Sequence, residues 1–271
     1  MNLALPIWMR ADFVVRETPG SLAIVRKDFL EDFQRLELVQ ATRAGEWPVM
    51  AAAGPVSGWS SPPAGGRGWA RTFVSDALGE VVVRPIVRGG LPGRWLRTRH
   101  FQRWRAPREL LLTERLRLAG VPVPEAVAAV RSACFPGYRS LFVTRRLPGL
   151  RAAGSLLREA GPAECRDHMR SCGASVRRLH EAGAWHADLH IDNLLLDPDP
   201  AGVPAALIDL DRARLLPPPL PAPLARRNLA RLRTSLHRRN LTEAARAWGE
   251  FEQAYAARSA GGVGAEQEEG L

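Results

Sequence analysis

The run His186-Ala187-Asp188-Leu189-His190-Ile191-Asp192-Asn193, followed by Leu194-Leu195-Leu196-Asp197, carries the strongest chemical signal in the sequence. An Asp and an Asn five residues apart, ahead of an apolar strand, suit the division of labour in phosphoryl transfer. Asp188 can accept or orient the proton of an attacking hydroxyl, while the amide oxygen of Asn193 ligates a metal held on phosphate groups. Both side chains must face one cleft, so a turn has to present them together. Sixteen residues beyond Asn193 an apolar run reaches Asp209, within Leu207-Ile208-Asp209-Leu210-Asp211. A strand that delivers a carboxylate there fits a second metal ligand. Asp211 reads as an accessory ligand or as a salt-bridge partner, and the second reading is preferred. Each piece alone has a plainer meaning: a loop Asp is ordinarily a turn or cap residue, and Asn193 alone is a turn cap. The combination of spacing and flanking apolar strands is much rarer.

The spacing is that of the protein-kinase catalytic loop and its following metal-binding Asp. The upstream half agrees, with departures. Arg84, in Val81-Val82-Val83-Arg84, stands where a kinase strand places its phosphate-binding Lys. Arginine still pairs phosphate oxygens, with a planar fork in place of a point charge. Glu109, at the start of a helix read over residues 108–119, is the residue to hold Arg84; its plainer reading is a solvent-facing Glu in a first turn. Glu114 points elsewhere on that helix. The glycines of GGRGWARTF precede the strand pair and offer a phosphate-covering turn, without full GxGxxG spacing.

These residues need a scaffold. ARTFV and EVVVRPIV read as two strands joined at SDALG. A helix follows and ends at Gly120, and VPVPEAVAAVRSACFPGYRSLFVTRR reads as two more strands turning at FPGY. Beyond Gly149 the chain turns helical: residues 163–182 form a helix broken at Gly183, and residues 226–259 give one or two basic amphipathic helices. The expectation is an α+β, protein-kinase-like two-lobe fold, with a β-rich N-lobe at 65–147 and a mainly helical C-lobe at 148–259. Residues 1–64 are expected as a partly flexible N-terminal extension, with a helix over 28–41 and a Gly/Pro/Ser-rich linker over 51–68. Residues 260–271 read as a disordered tail.

The whole chain sets limits. Its 271 residues suffice for two lobes sharing a cleft. The formal net charge is +10, nearly all of it arginine, and ten arginines against two glutamates lie between Arg84 and Arg117. That excess predicts an anionic partner and does not choose among nucleic acid, acidic lipid and a charged sugar. Its plainer reading is a basic solvated face. Trp95 and Trp104 in that stretch read as core or as interfacial residues, with core preferred. Cys134, Cys165 and Cys172 form no CxxC pair and read as plain thiols of a reducing compartment. The N-terminus lacks the pattern of a signal peptide, and no run approaches the roughly 20 apolar residues that span a bilayer. The expectation is a cytoplasmic protein.

Together these segments resemble the lipopolysaccharide core kinases, most closely those acting on 3-deoxy-D-manno-octulosonic acid (Kdo). GRGWARTFV, VVVRPIVRGGLPGRWL, RELLLTERLRLAGVPVPEAVA, YRSLFVTRRLPG, WHADLHIDNLLLD, LIDLDRARL and RRNLARLRTSL carry the likeness over most of residues 65–240. VRGGL and NLARLRTSL make it more specific than kinases in general, while the segment through Ala64 matches less well. The resemblance implies ATP-dependent phosphorylation, with Mg2+, of the 4-hydroxyl of the Kdo sugar on lipid A. It implies a peripheral place on the cytoplasmic side of a Gram-negative inner membrane, an anionic surface, with no nucleic-acid partner. By carry-over Asp188 is the catalytic Asp, Asn193 and Asp209 bind metal, and Arg84 and Glu109 occupy the nucleotide-binding Lys and Glu positions. Two other classes stay open: a kinase for another sugar, small molecule or protein, and a non-catalytic membrane- or nucleic-acid-binding protein with a kinase-like fold.

Overall fold

The computed structural model describes residues 5–45, 70–86, 99–199 and 203–257. Its first part is a six-stranded antiparallel sheet. The strands are β1 (Phe13–Thr18), β2 (Ser21–Arg26), β3 (Arg71–Ser75), β4 (Gly79–Pro85), β5 (Ala126–Ala133) and β6 (Tyr138–Arg145), in the order β1-β2-β5-β6-β4-β3. The β3–β4 and β5–β6 hairpins turn at the two expected places. In the first, the Ser75 hydroxyl accepts from the Leu78 amide at 3.1 Å and Gly79 takes φ 69°, a conformation glycine adopts freely.

Strand alternation sorts β4 into two faces. Val81 and Val83 are buried in a cluster with Phe29, Phe33, Phe73 and Leu141. Arg84, one residue past Val83 and out of phase with both valines, points to the other face, where its guanidinium lies 5.5 Å from the centre of the Phe142 ring. On that face packs α3 (Arg105–Leu118), whose Ala106 and Leu110 join Ile86, Ala129 and Phe142. The helix begins three residues before the expected Arg108, with Pro107 tolerated in its first turn. Glu109 therefore sits in the second turn rather than the first.

Residues 5–45 correct the reading of this region as an extension. β1 and β2 form a hairpin whose second strand pairs with β5, so they lie within the same sheet. The helix expected over 28–41 is two short ones, α1 (Leu30–Arg35) and α2 (Leu38–Ala44). Glu37, at φ 46°, breaks the register between them. The break lets Phe33, Leu36 and Leu38 all reach the sheet. The linker expected over 51–68 and the tail over 260–271 lie outside the described residues.

The second part is mainly helical: α4 (Ala153–Glu159), α5 (Pro162–Glu181), α6 (Ala222–Arg238), α7 (Thr242–Arg246) and α8 (Trp248–Ala256). α5 matches the expected helix, and the chain leaves it through Gly183 at φ 76°, a left-handed stop. Met169, Cys172, Val176 and Leu179 repeat at helical spacing and are buried against Leu194, Leu232 and Phe251. The expected one or two helices after residue 226 are three, beginning at Ala222. All three cysteines are unpaired. Leu112 and Leu116 of α3 belong to this second core, so α3 packs into both parts of the molecule.

Short strands place the loops that matter. β8 (Ala184–Trp185) leads into residues 186–193 and β9 (Leu194–Leu196) leads out, with β7 (Arg151–Ala152) on the far side of β9. β10 (Ala206–Leu207) leads into residues 208–213 and β11 (Arg214–Leu215) leads out. β9 pairs with β10 and β8 with β11, all antiparallel. Each loop is thus pinned at both ends to the ends of the other.

Candidate active site

The two pinned loops hold Asp188, Asn193 and Asp209. One buried imidazole ties them together. The Asp188 amide donates to Nδ1 of His186 at 3.2 Å, which leaves the ring hydrogen on Nε2, 3.2 Å from the Ile208 carbonyl. Burial lowers the His186 pKa, so the ring stays neutral with one fixed tautomer. The Ile208 amide also donates to the Asn193 carbonyl at 2.9 Å. Within the first loop, the Asn193 side-chain amide donates to the Asp188 carbonyl at 2.8 Å. That bond commits the nitrogen and orients the oxygen as the free end of the side chain.

Asp209 takes φ 61°. Aspartate enters this left-handed region more readily than most residues, at roughly 1 kcal/mol. Its carboxylate is half exposed and lies 3.5 Å from Arg84. Arg84 also donates to the buried carboxylate of Glu109, so sheet, α3 and the second loop meet at one guanidinium. Burial pushes the Glu109 carboxyl up, with the Arg84 charge pulling the other way. The solvent-facing reading of Glu109 fails, since its side chain is 1% exposed. Glu114 does point elsewhere: it accepts from the Ala126 amide at 2.9 Å, at the start of β5, and pairs with Arg117. Asp211 is a salt-bridge partner. Arg105, at the start of α3, grips it through two nitrogens, with Nε to Oδ1 at 2.6 Å.

The donor set fits a hard divalent cation in the manner of Mg2+, which takes one or two protein oxygens and completes its shell with water and phosphate. Asp209 offers a half-exposed carboxylate and Asn193 an amide oxygen. Among the described residues no group of three His, Cys, Asp or Glu could enclose a metal.

Sequence reading missed the platform beneath the catalytic loop. α6 lies along it and presents Asn228, Arg231 and Ser235, with Arg239 at its end. Buried Asn228 accepts from the His186 amide at 3.2 Å and donates back to the His186 carbonyl at 2.6 Å. It also lies 3.2 Å from Nε2 of His180, which must donate to that amide oxygen. Nδ1 of His180 then accepts from the Tyr255 hydroxyl at 2.9 Å, and burial lowers the His180 pKa to about 4. Ser235 accepts from the Ile191 amide at 3.0 Å, Arg231 donates to the Ala187 carbonyl, and Arg239 pairs with Asp192. The available signal was periodic: polar residues at 228, 231, 235 and 239 lie on the side of a basic helix that also carries Leu232 and Leu236.

The glycine-rich turn before β3 and the arginines at 94 and 97, with Trp95, lie outside the described residues. Arg99 donates to the Phe135 carbonyl at 2.7 Å, and Arg103 lies 4.7 Å from the ring centre of half-buried Trp104. No helix among the described residues is long and apolar enough to cross a membrane.

Comparison with known proteins adds to this geometry. The model of the lipopolysaccharide kinase (Kdo/WaaP) family matches residues 63–255. A 3-deoxy-D-manno-octulosonic acid kinase of Xylella fastidiosa (strain M12) is 37% identical over 177 residues, covering 64% of this chain and 67% of that protein. One of Xanthomonas euvesicatoria pv. vesicatoria (strain 85-10) is 36% identical over 184 residues, with 64% and 68% covered. Among solved structures, WaaP in complex with acyl carrier protein superposes with a TM-score of 0.52 at 23% identity, covering 86% of this chain and 88% of that one. That likeness bears on the fold, a two-lobe kinase-like α+β arrangement.

Proposed function

The chain belongs to the lipopolysaccharide kinase (Kdo/WaaP) family, and from that membership we propose that it transfers the γ-phosphoryl group of ATP to the 4-hydroxyl of Kdo on lipid A. The observation that supports the reading is the cross-pinned pair of loops: His186 bonds the loop of Asp188 and Asn193 to the loop of Asp209, and Asp209 lies beside the Arg84–Glu109 pair.

In this reading the acceptor oxygen forms a bond to the γ-phosphorus as the bond to the ADP oxygen breaks. Asp188 takes the proton of the attacking hydroxyl. Neutral His186 holds the Asp188 amide and the Ile208 carbonyl, which fixes the base relative to Asp209. Arg84 offers its fork to the nucleotide phosphates, and Glu109 keeps that fork from swinging into solvent. Asn193 and Asp209 would hold Mg2+, which neutralises charge on the phosphates when bound. The division into an N-lobe ending at 147 and a C-lobe over 148–259 belongs to the same reading. So does a peripheral site of action on the cytoplasmic side of the inner membrane, where exposed arginines between Arg84 and Arg117 meet anionic headgroups.

The test is phosphoryl transfer from ATP with Mg2+ to defined acceptors, with the product mapped by NMR. Kdo-bearing lipid A should accept phosphate at the sugar's 4-hydroxyl, and lipid A without Kdo should not. Transfer to Kdo-free lipid A, or phosphate at another position, overturns the acceptor assignment.

A further inference from the structure

Between Asp211 and Glu243 the chain carries eight arginines and no acidic residue. Three of them lie on one exposed stripe of α6. At about 100° per residue, positions 227, 231 and 238 fall within roughly 40° of one another. This stripe borders the helix face that docks the catalytic loop. The other arginines of the helix include two with partners: Arg233 lies 5.7 Å from the ring centre of Trp248, and Arg239 pairs with Asp192. Arg227 and Arg238 are exposed, and neither meets a carboxylate among the described residues.

Arg231 is the member of the stripe at the reaction centre. Its Nη1 donates to the Ala187 carbonyl and lies 3.5 Å from Oδ1 of Asp188. The two side chains are 48% and 53% exposed, so the pair contributes little to stability. Both contacts use the same nitrogen. The rest of a planar, five-donor fork is directed at no protein group among the described residues, a hydrogen bond's length from the carboxylate that receives the acceptor hydroxyl.

We propose that Arg231, flanked by Arg227 and Arg238, is the anion site of the acceptor: its fork takes a carboxylate or phosphoryl group on the molecule whose hydroxyl faces Asp188. The inference rests on the phosphotransferase reading above and adds what the acceptor must carry. Two parallel N–H···O bonds from one guanidinium fix the plane of an acid group as well as its position. Because Asp188 is the neighbouring anion, an acid group on the fork also relieves Asp188 of its ion pair and leaves its oxygen to take the proton.

The experiment compares wild type with Arg231→Gln, Arg231→Lys and the control Arg226→Gln, another exposed arginine of α6 that lies off the stripe. Three acceptors are used: Kdo-lipid A, its Kdo carboxamide, and the same lipid stripped of its phosphates. Arg231→Gln should raise KM for the intact acceptor about 10- to 100-fold with KM for ATP unchanged, the range for hydrogen bonds to a charged group. Arg231→Lys should recover part of the loss. One neutralised acceptor should lose affinity for wild type and show no further loss with Arg231→Gln. Loss with the carboxamide identifies a carboxylate, and loss with the stripped lipid identifies a phosphate. An unchanged acceptor KM, or an equal fall in kcat on all three acceptors, overturns the proposal and leaves Arg231 as a prop for Asp188. A second measurement needs no sugar: inorganic phosphate is titrated into protein saturated with a non-hydrolysable ATP analogue and Mg2+, following the Arg231 side-chain 15N signal. Wild type and Arg226→Gln should bind phosphate there, and absence of binding in wild type overturns the anion site. Failure of wild type to phosphorylate Kdo-lipid A, with phosphate still held at Arg231, overturns the acceptor assignment and not the anion site.

Discussion

Asp188 and Asp209 hang from opposite edges of a single imidazole. His186 receives the Asp188 amide on Nδ1 and reaches the Ile208 carbonyl, one residue before Asp209, through Nε2. The spacing of the Asp188 and Asp209 loops is thus set by a rigid ring. His186→Phe keeps the volume and removes both bonds. It should lower kcat about 10- to 100-fold, since a misplacement of about 1 Å can cost that much. Steady-state kinetics beside a thermal melt checks it; unchanged kcat would show the two mini-sheets position the loops unaided.

Asp188→Asn should reduce kcat by about 10²- to 10⁴-fold, the usual contribution of a positioned base. Its carboxylate is 53% exposed, so the fold should tolerate the amide. Near-wild-type turnover by a folded variant refutes the assignment.

Asp209→Ala and Asp211→Ala should fail in different ways. The first removes the half-exposed carboxylate and should abolish Mg2+-dependent ATP binding with little change in melting temperature. The second removes the carboxylate that Arg105 grips at the start of α3 and should cost about 1–3 kcal/mol of stability. Calorimetric Mg2+–ATP titrations and denaturant unfolding separate the two. A larger metal defect at Asp211 would exchange their roles.

Acid should loosen the platform beneath the Asp188 loop. His180 is neutral in its network, with burial depressing its pKa from 6.5 to about 4. The unfolded chain therefore binds the proton first. The stability that follows is fully present above about pH 6.5 and is lost as pH falls toward 4. Between pH 8 and pH 5 the group should account for on the order of 2 kcal/mol. Urea unfolding across that range should show a shallower pH dependence in His180→Gln than in wild type. Equal slopes would remove His180 as the source.

The loops, the β4 arginine and its α3 glutamate were legible because local spacing fixes them. Asp188 and Asn193 share a turn, and Arg84 follows from alternation along a short strand. The N-terminal hairpin was not read as part of the sheet. β2 finds its partner in β5, more than a hundred residues away, and no local pattern announces that pairing. Asn228 escaped for a related reason. On a helix dense with arginine, one more polar residue looks solvated until the loop that covers it is placed. Glu37 split an otherwise helical run because packing three apolar residues on the sheet outweighed one left-handed residue.

α3 enters both cores, with Leu110 under the sheet and Leu112 and Leu116 among the C-terminal helices. Its polar side is moored twice as well, by Glu109 to Arg84 and by Arg105 to Asp211. A helix fastened this way serves as an axle. The jaws of the cleft can rock about it, but it cannot swing outward to disarm the site without drawing apolar residues from both jaws. Withdrawing the helix would therefore strip apolar cover from both cores at once.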